Sequence, residues 1–150
     1  MSRTADGTLI GVSSTLAATK DAAGFAVLTF TDVGQVVDIG EIGATFADVT
    51  TYNLSSRDVV HLKGSRDWNE TPITVDNDRT DAGQVILRDH HNETKVDNRV
   101  AIKITHQNGD VEYFETLVYS FTSAALAQDT IYRANVSMRI MPSTYVFVAA

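Results

Sequence analysis

Three stretches in the final third of the chain alternate between apolar and polar residues with a period of two, most regularly at residues 130–141. If residues 130–141, TIYRANVSMRIM, form a strand, successive side chains point to opposite faces. One face then consists of Tyr132, Ala134, Val136, Met138 and Ile140. The other face consists of Ile131, Arg133, Asn135, Ser137 and Arg139. The pattern predicts a strand whose first face is core and whose second face is not.

A hairpin is predicted immediately before this strand. VAIKITHQ, residues 100–107, and VEYFETLVYSFT, residues 111–122, are joined by the sequence NGD at 108–110. Asn-Gly is a strong hairpin signal because a type I′ turn requires positive φ at both central residues. In a regular second strand, Phe121 lies on the face opposite Phe114.

Four shorter upstream segments also have strand composition and are bounded by Gly, Asp, Asn or Ser. They are residues 27–33, 36–40, 57–64 and 70–76. One short helix is predicted at about residues 81–91, because Asp81 can cap its first turn and Gln84 stands three residues later. The sequence therefore predicts a mainly β domain with one short helix near the middle of the chain.

Residues 41–57, EIGATFADVTTYNLSSR, lack clear periodicity and are predicted to form a long inter-strand loop. Loops longer than about 12–15 residues are uncommon and usually functional. The apolar side chains of this segment must be buried under their own domain or against another chain. Gly40 and Gly43 would allow the backbone to leave the preceding strand. The candidate subunit-contact residues are Ile42, Phe46, Val49, Tyr52, Leu54 and Arg57.

Composition excludes several classes of function. The 150 residues fit one globular domain, with 43% hydrophobic and 21% charged residues. The absence of cysteine excludes disulfides, thiolate zinc sites and a cysteine nucleophile. Nineteen acidic against 12 basic residues give a net charge of −7, which argues against gripping nucleic acid through its phosphates. We expect an aqueous, intracellular setting, since no signal peptide or membrane-spanning run is visible.

One tract, Asp89-His90-His91 with Glu93, has the composition of a metal or catalytic cluster. Adjacent histidines on a helix point about 100° apart, so they cannot share a metal as residues at i and i+4 do. Histidine near a helix C-terminus is favoured by the helix dipole, which explains the tract more simply. The glycines of residues 34–43 also fit neither a dinucleotide loop nor a P-loop. The sequence predicts no enzyme, no cofactor and no metal.

The order of these segments resembles the major tail tube proteins of long-tailed phages and gene-transfer agents. The likeness covers nearly the whole chain, as a single tail-tube domain over residues 1–150. The most similar segments are TFTDVGQVVDIGEIGATF at residues 29–46, KGS at 63–65 and DAGQ at 81–84. The family is similar to the type VI secretion tube protein. The resemblance implies a β-sandwich or partial barrel of two packed sheets with one flanking helix.

The resemblance also implies a structural role. Such proteins form hexameric rings whose inner sheets join into one β-barrel, and the rings stack into a hollow tube that carries DNA and the tape-measure protein. Expected partners are further copies of the chain and the tail-terminator and distal-tail proteins, without a membrane. Assembly is expected in the host cytoplasm and the final location in the virion tail. An acidic lumen would not bind phosphate. Candidate lumen-facing residues are Asp38, Glu41 and Asp58.

Two other classes of protein share these strand signals. A monomeric or dimeric small-ligand β-barrel would enclose a pocket. A virion adaptor or decoration protein would be similarly acidic and rich in β-structure, but would not polymerise alone. Self-assembly of the purified protein distinguishes the tube protein from both.

Overall fold

The computed structural model describes residues 3–150, which form ten strands and two helices. The strands are β1 (Leu9–Ser13), β2 (Thr31–Asp32), β3 (Val36–Ile39), β4 (Ala44–Tyr52), β5 (Val59–Trp68), β6 (Glu70–Asp76), β7 (Arg99–Thr105), β8 (Val111–Ser123), β9 (Arg133–Ile140) and β10 (Val146–Val148). The helices are α1 (Ala22–Ala26) and α2 (Ala82–Asn92). No helix within the described residues is long and apolar enough to cross a membrane.

Two antiparallel sheets make up the fold, which confirms the mainly β class. The main sheet has the strand order β2-β1-β7-β8-β9-β6-β3, and β10 pairs with β8 beside this path. It does not close into a barrel, and β2 and β3 are the two ends of this strand order. The second sheet contains only β4 and β5.

The principal core lies on one face of the main sheet. Strand β9 directs Ala134, Val136, Met138 and Ile140 into this core, as its alternation predicts, whereas Tyr132 lies outside the strand and is 40% exposed. The core is completed by Leu87 of α2, which is fully buried. Helix α2 begins where predicted, because the Asp81 carboxylate accepts a hydrogen bond from the backbone N–H of Gln84 at 3.0 Å.

A smaller apolar cluster covers part of the opposite face of the main sheet. It contains Phe25 of α1, which stacks on Tyr113 of β8 at a ring-centroid distance of 5.4 Å. Beside this cluster Lys20 donates to the carboxylate of Glu115, and the Glu115 side chain is fully buried. The ion pair holds the segment before α1 against the sheet, since losing the lysine would leave a buried carboxylate without its cation.

Three local expectations are wrong. The segment 41–57 is not a loop, because residues 44–52 form strand β4, paired with β5. The strand expected at 27–33 is reduced to Thr31–Asp32, and α1 precedes it, capped by the Asp21 side chain. A bulge between Val118 and Ser120 reverses the alternation of β8 and brings Phe121 opposite Val136, so Phe121 packs on the principal core.

The two sheets do not lie face to face along their whole length. Strands β4 and β5 contain no buried residue, so most of the second sheet is not covered by the main one. Only its base contacts the core, through partly buried Ile42 and Trp68. The second sheet is therefore a projecting hairpin with exposed apolar side chains on both of its faces.

Candidate subunit interface

The hairpin of β4 and β5 is the most apolar uncovered element of the described structure. The two strands contain 9 and 10 residues, which corresponds to a length of roughly 30 Å. Two-stranded hairpins are at best marginally stable in water, so a hairpin of this length indicates further contacts. Its sequence and pairing therefore define the first candidate interface.

One face of the hairpin is uncharged between its bulge and its tip. Cross-strand pairing places Val49 opposite Leu62 and Thr51 opposite Val60. Val49, Val60 and Leu62 are 47%, 48% and 56% exposed. A Cβ added to Gly64 would lie 2.9 Å from Val49 Cγ2, so Gly64 permits close approach on this face. We define Ala47, Val49, Thr51, Val60, Leu62 and Gly64 as the apolar hairpin face.

The opposite face of the hairpin carries charge and aromatic rings. His61 Nδ1 lies 2.9 Å from Asp48 Oδ2, and both side chains are largely exposed. Lys63 Nζ lies 5.0 Å from the centroid of the Phe46 ring. Exposed contacts of this kind add little stability. The two faces therefore differ in chemistry although they belong to the same two strands.

The predicted contact residues divide between these faces. Val49 lies on the apolar hairpin face, whereas Phe46 and Tyr52 lie on the charged one. Leu54 and Arg57 are exposed in the turn that joins the strands. Ile42 lies at the base of the hairpin, where it packs against the principal core. The sequence identified the segment but could not assign its residues to faces.

The hairpin base is attached to the body through Trp68. The Trp68 ring packs on Tyr145 at a centroid distance of 5.5 Å, and the Arg66 guanidinium lies 5.1 Å from the Trp68 ring. The backbone N–H of Asn69 donates to the carbonyl of Gly43 at 3.0 Å. These contacts hold the hairpin to the body at one end and leave the remainder accessible.

A second feature is the polar face of β6 and β9, on the side of the main sheet away from the principal core. Arg133 pairs with Asp76 at 3.1 Å, and Ser137 donates to Glu70. Arg139 Nη1 donates to the carbonyl of Trp68 at 3.2 Å and lies 3.8 Å from Asp67. Both arginines of this polar sheet face therefore have carboxylates beside them. The alternation of residues 133–139 was the sequence signal for this surface.

The three candidate lumen residues do not lie together. Asp38 of β3 pairs in register with Thr74 of β6, which places it on the polar sheet face. Glu41 is exposed between β3 and β4. Asp58 lies at the far end of the hairpin, immediately before β5, so the length of the hairpin separates it from the other two. A single surface can include Asp38 and the polar sheet face but not all three acids.

A cavity of about 470 Å³ lies between β3 and the start of β8. Its lining includes Val36, Ile39 and Ile104 together with Asp38 and Glu112. The Glu112 carboxylate accepts a hydrogen bond from Tyr145 and lies 2.8 Å from His106 Nε2. Burial, and then the neighbouring Glu112, raise the pKa of the Tyr145 hydroxyl, so it remains a neutral donor. The small-ligand alternative would use this cavity.

The histidines of the tract at 89–93 point in different directions. His90 Nδ1 lies 2.9 Å from the carbonyl of Ile86, one turn earlier in α2, whereas His91 faces a surface pocket. No group of three or more metal-ligating side chains is present in residues 3–150. The separation of the two rings agrees with the helical geometry expected from the sequence.

Comparison with known proteins relates this arrangement to tail tubes and injection systems. No protein-family model matches the chain, and no curated protein matches it in sequence. Among solved structures, the tail of an empty GTA particle refined with C6 symmetry contains a chain with a TM-score of 0.67 and 13% identity, covering 99% of this chain and 100% of that one.

Two further structures have the same fold. The SPP1 tail tube gives a TM-score of 0.65 at 13% identity, covering 95% of this chain and 77% of that one. The sheath/tube terminator of an extracellular contractile injection system in its extended state gives 0.68 at 7% identity, covering 99% and 98%. The chain therefore has the fold found in phage tail tubes, gene-transfer agent tails and contractile injection systems.

Proposed function

We propose that this chain is a non-enzymatic structural subunit that self-assembles into stacked hexameric rings, which form a hollow tail tube. The observation that carries the proposal is the hairpin, whose apolar face is uncovered on a fold shared with tail-tube structures. Covering Val49, Val60 and Leu62 with another copy would remove this apolar area from water. The C6 symmetry of the similar GTA tail supports a ring of six.

The open edges of the main sheet support the formation of a ring. Strand β2 contains two residues and β3 contains four, and each has only one neighbour in the sheet. Val37 of β3 is 47% exposed. Unpaired edges carry backbone donors and acceptors that can pair with a strand from another chain. In the proposed ring, edge contacts between copies join the main sheets around a common axis.

The polar sheet face is suited to the inner wall of a DNA conduit. Arg133 and Arg139 lie beside carboxylates, so phosphate would have to compete for both cations. Asp38 adds a negative charge to the same surface. At about 0.15 M salt the repulsion of a duplex decays over roughly 8 Å, and it therefore acts only close to the wall. We propose that DNA and the tape-measure protein pass through the lumen without specific binding.

The remaining assignments follow from the tube. We propose that the tube ends contact tail-terminator and distal-tail proteins, that assembly takes place in the host cytoplasm, and that the product belongs to the virion tail. The similarity to a sheath/tube terminator structure supports contacts with proteins of that class. No cofactor is required, because the proposed role is mechanical.

Size-exclusion chromatography and negative-stain electron microscopy of the purified chain test the proposal. We expect hollow tubes or rings with six-fold end views. Fluorescence anisotropy with a short duplex at low and physiological salt should detect no binding by monomer or tube. A monomer or dimer at all concentrations would contradict self-assembly and favour the ligand-binding or adaptor alternatives. Salt-sensitive micromolar duplex binding would contradict the passive conduit.

A further inference from the structure

A basic pocket lies at the end of the main sheet, beside the last turns of α2. It has a volume of about 240 Å³. Its lining consists of Asn77, Arg79, Arg88, His91, Asn92, Phe121 and Ser123. Two arginines, a histidine, two amides and a hydroxyl therefore converge there without a carboxylate among them. In a chain with a net charge of −7, this concentration of hydrogen-bond donors has the chemistry that anion recognition requires.

The guanidinium of Arg88 is held in place before any ligand binds. It lies 4.6 Å from the centroid of the Phe121 ring, and its Nη2 donates to Asn77 Oδ1 at 3.2 Å. A stacked arginine with one donor already satisfied still presents other N–H groups in a fixed plane. Preorganisation of this kind lowers the entropic cost of binding a carboxylate.

Arg79 and Arg88 differ from the arginines in the strands of the main sheet. Arg99, Arg133 and Arg139 each pair with an aspartate, whereas Arg79 and Arg88 pair with no carboxylate of residues 3–150. The dipole of α2 favours cations near its C-terminus, but it cannot explain Arg79, which precedes the helix. The pocket therefore contains cations that the body of the protein does not neutralise.

The positive charge also affects the pKa of the Tyr132 hydroxyl beside the pocket. A hydrogen bond with Ser123 lowers the pKa of Tyr132, and the cations of Arg79 and Arg88 lower it further. The positive charge of the pocket therefore suits a segment that carries a carboxylate.

We propose that the basic pocket binds the hairpin tip of a second copy of this chain, with the Asp58 carboxylate directed at Arg79 and Arg88. The proposal rests on the proposed self-assembly and specifies one contact that supports it. The tip presents exposed Asp58 beside Leu54, whose side chain is fully exposed. Asp58 has no ion-pair partner within residues 3–150, and the hairpin projects it beyond the body. This contact is heterologous, so repetition extends the assembly rather than closing a two-fold dimer.

Charge reversal on the two sides provides the test. One variant carries Arg79→Glu and Arg88→Glu, and the other carries Asp58→Arg. Each variant alone places like charges in the contact, so we expect the concentration needed for assembly to rise at least tenfold. An equimolar mixture restores opposite charges in every contact between unlike copies, so the mixture should form tubes near the wild-type concentration. Electron microscopy and light scattering measure both effects.

Two controls separate this contact from general effects of charge and folding. Lys95→Glu changes the same kind of charge at an exposed position outside the pocket and should leave assembly unchanged. Arg79→Glu alone alters an exposed side chain, so it should weaken assembly even if the Arg88 change disturbs packing on Phe121. Thermal unfolding followed by circular dichroism checks that each variant is folded.

The outcomes separate failure of the pocket from failure of the tube. Normal assembly of the Arg79/Arg88 variant would overturn the pocket contact and leave the proposed function intact. Loss of assembly in both single-sided variants, with no recovery in the mixture, would also overturn it, because the two sites would not be partners. If the wild-type protein formed no tube or ring, the proposed function itself would be wrong.

Discussion

The main sheet and the β4–β5 hairpin use similar residues in opposite ways. Val75 and Val136 of the main sheet are at most 1% exposed, whereas Val49 and Val60 of the hairpin are 47% and 48% exposed. Both regions are antiparallel and rich in β-branched residues, so strand propensity alone does not distinguish them. The two regions differ in what covers them. Val75 and Val136 lie in the principal core with Leu87 of α2, whereas no part of the described chain covers Val49 and Val60.

The same substitution, an apolar residue replaced by a charged one, should therefore have different effects in the two regions. A charge introduced into the main sheet must be buried, and its desolvation opposes folding. A charge introduced on the apolar hairpin face stays in water in the monomer and becomes buried only if another chain covers it. Folding and assembly should therefore respond separately to substitutions in the two regions.

The largest effect is expected in the main sheet. Val136→Asp would place an unpaired carboxylate at a position that is 1% exposed, at a cost of several kcal/mol. We expect loss of the folded state, measured by circular dichroism and urea denaturation. Asn135→Asp is the matched control, because Asn135 is exposed on the polar sheet face one residue away.

The two neighbouring substitutions also test the register of β9. Ser137→Asp is less suitable as a control than its sequence position suggests, because Ser137 donates to Glu70 and an aspartate would face that carboxylate. Equal stability of the Val136 and Asn135 variants would contradict this assignment of faces, and a less stable Asn135 variant would show that the faces of β9 are reversed. Val136 could then no longer serve as the buried counterpart of the exposed hairpin valines.

An intermediate effect is expected in the hairpin, and on assembly rather than folding. Val49→Asp lies on the apolar hairpin face, where burial of a side chain against a partner can contribute about 2 kcal/mol. We expect a folded monomer with a free energy of unfolding within about 1 kcal/mol of the wild-type value, because exposed substitutions have small effects. Assembly should be abolished, as measured by sedimentation and electron microscopy.

Thr50→Asp provides the control for this hairpin prediction. Thr50 is next to Val49 and pairs with His61 on the charged face, so the same new charge is added to the opposite surface. We expect this variant to assemble. If Val49→Asp formed normal tubes, the apolar hairpin face would not be the subunit contact, whatever the behaviour of the Thr50 variant.

The sequence predicted the main sheet well because burial on one face produces alternation. The strand that contains Val136 and the helix capped by Asp81 were both found where their patterns placed them. The bulge in β8 was not visible, since one inserted residue reverses the side of Phe121 without changing composition. Helix α1 was missed because five residues are too few to show helical periodicity.

The sequence located the candidate interface at residues 41–57 but did not predict its strand or the chemistry of its two faces. Strand β4 has apolar residues on both faces, with Phe46 on one and Val49 on the other, because neither face is buried within the body. A period-two pattern could not arise there, and the segment was predicted to be a loop. The basic pocket was also invisible, since Arg79 and Arg88 meet Phe121 only after α2 packs beside β8.

The smallest effect is expected from acid titration at the turn between β7 and β8, in the main sheet. Asp110 accepts hydrogen bonds from Asn108, from the backbone N–H of Ala150 and from Arg3, and these contacts lower its pKa to about 2 from 3.8. A lowered folded-state pKa stabilises the protein above the unfolded value and is lost as pH falls from about 4 towards 2. Asp110→Asn should therefore slightly lower the melting temperature at pH 7 and flatten its dependence on pH below 4. If the melting temperatures of the wild-type and Asp110→Asn proteins fell equally as the pH dropped below 4, the hydrogen bonds of Asp110 to Arg3 and Ala150 would not stabilise the folded protein.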